Sequence, residues 1–192
     1  MIMKEIIKKS FFESAKIIKK SSQLSSKIEE ATIAICECLR NGNRIYLFGN
    51  GGSAADAQHI ATELVVRYKK NRKSIPAISL STDTSALTAI GNDFSFNQIF
   101  SRQIESIGKK GDIAIGITTS GKSLNVLNAL DIAKKRKIKS VLLTKKNYPN
   151  KKKINTITDI VLGIPASETA RIQELHILLG HLLCAALDES FS

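Results

Sequence analysis

Tryptophan is absent from these 192 residues, and aromatic side chains of every kind make up only 5% of them. That scarcity argues against a surface that stacks unpaired bases, despite a formal net charge of +12. Lysine dominates the basic residues and is spread over expected helix faces and loops. Its densest group is Lys145, Lys146, Lys151, Lys152 and Lys153 around Tyr148-Pro149, which reads as a solvated loop. A diffuse basic field that draws in a phosphorylated metabolite fits better than a nucleic-acid partner. The three cysteines, Cys36, Cys38 and Cys184, form neither a metal nor a disulfide pattern, and read as small buried hydrophobes in a reducing compartment. No apolar run approaches the ~20 residues of a membrane span, which excludes a membrane partner of that kind. The start, Met1-Ile2-Met3-Lys4-Glu5, enters a charged amphipathic pattern with no secretory core. The expectation is a cytoplasmic protein. Linkers, internal repeats and low-complexity tracts are missing too, so residues 1–192 read as one domain.

What is present is organised around Phe48-Gly49-Asn50-Gly51-Gly52-Ser53-Ala54-Ala55-Asp56-Ala57-Gln58-His59. A short apolar run, residues 44–48, precedes it with the character of a buried strand. The glycines permit a sharp turn and a close approach of ligand to main chain. Ser53 suits a helix N-cap, and the alanine-rich stretch after it predicts a helix to about residue 68. Strand, glycine turn and helix start together make an anion site. Within that helix His59 and Glu63 stand at i and i+4, on one face.

The remaining pattern alternates. Helices are predicted over residues 2–20 and 24–40. In the second, Leu24, Ile28, Ala31, Ile35 and Leu39 form a seam that a second subunit or another part of this chain could cover. Strands are predicted at 75–80, 112–117, 139–144 and 159–164. Helices are predicted after Asp83, over 95–108, from Leu124 to Lys135, and from about 168 to 187. Strands alternating with helices imply a parallel sheet of five strands covered on both faces. A second turn, Thr118-Thr119-Ser120-Gly121-Lys122-Ser123, also follows a strand, where open parallel sheets bind ligands. Neither turn matches a nucleotide-binding glycine motif. On the last helix, Gln173 and His181 are eight apart, which is two turns plus about 80°. His176 reads as a supporting or structural residue.

The ordered set FGNGGSAADAQHIATEL (48–64), DTSALTAIGND (83–93), TTSGKS (118–123) and RIQELHILLGH (171–181) resembles the sedoheptulose 7-phosphate isomerase (phosphoheptose isomerase) family. The likeness runs from about residue 2 to residue 187. It implies a flavodoxin-like SIS (sugar isomerase) fold, a three-layer α/β/α sandwich whose N-terminal helical segment, about 2–41, serves oligomerisation. It implies one zinc ion per subunit held by His59, Glu63, Gln173 and His181, with Glu63 and His181 as base and acid. It implies a sugar phosphate held by Asn50, Gly51, Gly52, Ser53, Asn92, Asp93, Thr118, Thr119, Ser120 and Ser123, with Glu63 and Gln173 also touching the sugar. It further implies a homotetramer with sites at subunit boundaries. Thr118 and Lys122 stand where serine and asparagine are common, and Lys145-Lys146-Asn147-Tyr148-Pro149 replaces a glycine-rich loop. The alternative within this fold is a non-catalytic binding protein, either a phosphosugar sensor or a partner of the replication initiator. Such a relative can lose the acid and base groups; this chain carries both.

Overall fold

A computed structural model of the chain describes residues 2–192. Helix α1 (Ile2–Ser21) and helix α2 (Ser25–Arg40) are joined by a single 3-10 turn, Ser22–Leu24. Then follow β1 (Ile45–Gly49), α3 (Gly52–Val65), β2 (Ala77–Ser79), α4 (Thr84–Asp93), α5 (Ser101–Ile107) and β3 (Ile113–Ile117). The chain continues through α6 (Leu124–Lys135), β4 (Lys139–Lys145), α7 (Lys151–Ile157) and β5 (Ile160–Ile164) to α8 (Thr169–Phe191). The five strands form one parallel sheet in the order β2-β1-β3-β4-β5. This is the expected three-layer α/β/α sandwich.

Alternation along β1 feeds both layers. Ile45 and Leu47 point into the layer with α2, α3 and α8; Tyr46 and Phe48 point into the layer with α5, α6 and α7. Every residue of β1 and β3 is buried, which is why these strands read as continuous apolar runs rather than alternating ones. The helix after β1 covers one face and the helix after β3 covers the other, although the two strands are neighbours. Their register pairs Gly49 with Ile117, so the two strands end side by side. The turns that follow them diverge from one crevice, the usual ligand position in such a sheet.

Several expectations need correction. Helix α3 stops at Val65, short of Tyr68. Its first residue is Gly52 and its N-cap is Gly51, with φ 54, so Ser53 lies inside the first turn and caps nothing. The single helix expected over 95–108 is a 3-10 turn, Phe96–Gln98, followed by α5. The lysine-rich stretch is not all loop: Lys151, Lys152 and Lys153 open α7, which Ile154 anchors in the core. The α2 seam is covered by this chain itself, with Ala31 and Ile35 buried and Leu24, Ile28 and Leu39 packed alongside. The uncovered apolar face lies mainly on α1, where Ile2, Met3, Ile6, Ile7, Phe11, Phe12 and Ile18 are exposed.

Helices α3 and α8 cross very closely. A Cβ placed on Gly180 would stand 2.5 Å from Ile60 Cδ1. Glycine there lets the two backbones approach until side chains on their shared edge can touch.

Candidate active site

The first turn is built by Asn50 and Gly51. The Ser53 and Ala54 amides donate to the Asn50 and Gly51 carbonyls at 3.0 Å each, closing the turn into α3. The second turn is a ring of hydroxyls. Thr118 Oγ1 lies 2.9 Å from Ser123 Oγ and 3.4 Å from Ser120 Oγ, and the Lys122 amide donates to Ser120 Oγ at 3.1 Å. Thr119 and Ser120 are half-buried beside them. The Lys145-Pro149 loop leans on this turn: a Cβ on Gly121 would stand 2.8 Å from Tyr148 Cβ.

Asn125, which sequence reasoning passed over, ties the turns together. Its amide and that of Asn50 exchange two hydrogen bonds of 2.8 and 2.9 Å. Asn125 Oδ1 also accepts from its neighbour's backbone, Val126 N–H, at 2.9 Å. Asn125 is 2% exposed, so this pair is shielded from competing water. The available signal was a lone amide in an otherwise apolar helix start, Leu124-Asn125-Val126-Leu127.

About two to three turns into α3, His59 Nε2 lies 3.3 Å from Glu63 Oε1 and 3.2 Å from His181 Nε2. The rings of His59 and His181 meet edge to face at 5.1 Å. Tyr68 stacks on the other side of His181, with centroids 5.4 Å apart and planes 22° from parallel. Gln173 is placed differently: its amide presses on Gly52, where a Cβ would stand 1.6 Å from Nε2. Gln173 therefore sits at the first turn, close to the start of the helix that carries His59 and Glu63. Asp56, one turn before His59, is buried with one oxygen unpartnered. Burial pushes its pKa up to about 6, against a smaller downward pull from His59. Asn92 and Asp93 are exposed at the end of α4 and bond to each other at 2.8 Å. Among the described residues, none of their side-chain hydrogen bonds reaches the two turns.

The histidine and glutamate group can be tested as a metal cradle. Tetrahedral zinc with ligands at ~2.0–2.1 Å places neighbouring donor atoms ~3.3 Å apart. The two separations, 3.2 and 3.3 Å, match that edge length. Among the described residues no closed cluster of three or more His, Cys, Asp or Glu side chains is poised as a cage. The arrangement is a chain, Glu63 to His59 to His181, that needs a further donor. The Gln173 amide lies at Gly52, about two turns of α3 before His59, and would have to reach along the helix from there to complete the set. All three cysteines are buried and free.

Turns at the crevice of a β2-β1-β3-β4-β5 sheet, one glycine-rich and one hydroxyl-rich, describe a phosphosugar-binding domain. The SIS domain family model matches residues 10–145, which makes this chain a SIS-domain protein. A phosphoheptose isomerase of Nitratiruptor sp. is 52% identical over 190 residues, covering 98% of this chain and all of that one. The structure of a phosphoheptose isomerase from Francisella tularensis superposes with a TM-score of 0.92 at 34% identity, covering 98% of this chain and 100% of that one. That of the Neisseria gonorrhoeae enzyme gives 0.89 at 39% identity, covering 97% and 99%. The chain belongs to the phosphoheptose isomerase family, and it is an isomerase.

Proposed function

We propose that this chain converts D-sedoheptulose 7-phosphate to D-glycero-D-manno-heptose 7-phosphate, the first step toward heptose precursors of lipopolysaccharide or capsule. The observation that carries the proposal is the meeting of Glu63, His59 and His181 across α3 and α8, on the helix that the glycine turn opens. Moving a carbonyl between C2 and C1 passes through an enediol. One group must take a proton from carbon while another serves the oxygen. Glu63 is the carboxylate in reach for the first role and His181 the imidazole for the second. The hydroxyl turn and the start of α3 moor the phosphate, and that remote binding orients the reacting carbons. Asn50, Gly51, Gly52, Ser53, Thr118, Thr119, Ser120 and Ser123 line these moorings. Zinc, when held by His59, Glu63, Gln173 and His181, supplies a Lewis acid that polarises the sugar carbonyl.

The site is open in a single chain, with the His59 side chain 46% exposed. The α1 face carries Phe11 and Phe12 at 73% and 75% exposure. An apolar face of this extent marks an interaction surface. Both features support a homotetramer whose neighbouring subunits close the sites and bring Asn92 and Asp93 to a sugar. Among the described residues no helix is long and apolar enough to cross a membrane, and the cytoplasm is the proposed location. The test is turnover of sedoheptulose 7-phosphate by the purified protein with added zinc, for wild type, Glu63→Gln and His181→Gln. Both variants should stay folded and lose activity by orders of magnitude. A wild type without turnover favours the non-catalytic binding role instead.

A further inference from the structure

The loop after α3 is tied to α8 by bonds that proton transfer does not call for. Asp188, near the end of α8, is 1% exposed. Its Oδ2 accepts from the Lys69 and Lys70 amides at 2.7 and 2.9 Å, and its Oδ1 accepts from Arg72 Nε at 2.7 Å. Burial alone would raise the Asp188 pKa; these donors outweigh it and hold the carboxyl below the usual range. The Arg72 side chain is fully buried and donates onward to the Leu64 and Glu63 carbonyls at 2.8 and 3.0 Å. One guanidinium thus closes the carboxyl end of α3 while one carboxylate clamps three donors of the loop.

Tyr68 is the next residue before Lys69, and its ring lies on the His181 imidazole. The Lys69 ammonium lies over the same Tyr68 ring at 5.2 Å. His181 and Asp188 are seven apart, two turns of α8, so the clamp and the stacked ring act on one stripe of that helix.

We infer that Tyr68 is a positioning residue: held by the Asp188–Arg72 clamp, its ring sets the plane of His181 so that Nε2 faces His59 and Glu63. The inference rests on the isomerase site proposed above. A half-exposed histidine otherwise samples several ring orientations, because its terminal torsion is broad. Aromatic stacking of this kind changes the population of one orientation by about two- to tenfold. Tyr68 acts through His181, as an aligner, and its hydroxyl is given no part in the proton transfer.

Tyr68→Leu and Tyr68→Phe separate the ring from the hydroxyl. Steady-state turnover, zinc titration of the metal-stripped protein and thermal unfolding are measured on both and on wild type. Tyr68→Leu should lower kcat about two- to tenfold with KM within about twofold, weaken zinc binding by a similar factor, and lower the unfolding temperature by only a few degrees, since Tyr68 also packs on the core. Tyr68→Phe should restore all three. Wild-type kcat and zinc affinity in Tyr68→Leu would sink the inference, as would equal damage in Tyr68→Phe. Either result alongside an active, zinc-binding wild type leaves the isomerase reading standing. An inactive wild type takes both down.

Discussion

Replacing Gly52 by alanine should separate folding from function. The new Cβ would land 1.6 Å from Gln173 Nε2 and 2.6 Å from its Cδ, closer than any non-bonded contact allows. Gly52 is the first residue of α3 and its φ is not positive, so its backbone accepts alanine. Alanine is favoured over glycine in a helix by up to about 1 kcal/mol. Gln173 is half-buried on a flexible stem, and swinging it out costs about 0.5–1.5 kcal/mol. The two terms nearly cancel, so stability should stay within about 1 kcal/mol of wild type. Function should not survive as well. If Gln173 is the fourth zinc donor, as proposed, displacing its amide should lower zinc affinity and turnover by at least about tenfold each. Thermal unfolding of the metal-free protein, zinc titration and turnover report the three quantities. The decisive comparison adds Gly52→Ala to Gln173→Ala. With the amide gone, the methyl group has room and should do no further damage. Losses that simply add in the double variant would refute the contact, because residues that touch do not behave independently.

Asn125→Ala should lower stability by about 1–3 kcal/mol in urea unfolding, since it leaves a shielded Asn50 amide without its partner. The same change should raise KM for the sugar phosphate more than it lowers kcat, and an unchanged KM would detach Asn50 from phosphate binding. His176 is fully buried, and neither ring nitrogen has a hydrogen-bond partner of good geometry. Burial holds its pKa down to about 4, against a smaller upward pull from the Thr144 backbone. The unfolded chain takes a proton near pH ~6.5 while the folded one does not, so stability is full above that value and falls as pH drops toward the folded pKa. His176→Leu should flatten that acid limb in urea unfolding between about pH 7 and pH 5; an unaltered slope would assign the loss to other groups.

The strands were legible in the sequence because each is an apolar run bounded by turn residues. The Asp83 cap and the Gly108 stop were legible because each acts on its own neighbours: Asp83 Oδ1 accepts from the Ala86 amide at 2.9 Å. His59 and Glu63 were paired by helical spacing alone. Their meeting with His181 rested on the family resemblance, and the structure brings the three together. Contacts between distant segments left no local trace. The Asn50–Asn125 pair spans 75 positions and the Lys69–Asp188 bond spans 119. Neither has a period to detect. Tyr68 looked like the end of a helix because the alanine-rich stretch after Ser53 favours one. The buried Arg72 ends α3 instead by taking its last carbonyls, a tertiary effect that propensity does not encode.

The crossing at Gly180 has a bearing on how this family can vary. Where the Ile60 side chain rests directly on a bare α-carbon, that one contact sets the spacing of the two helices. Changes among leucines away from that contact would then cost thermal robustness before they shift the helices that carry Glu63 and His181. Any residue larger than glycine at that one position would push Ile60 aside and part those helices.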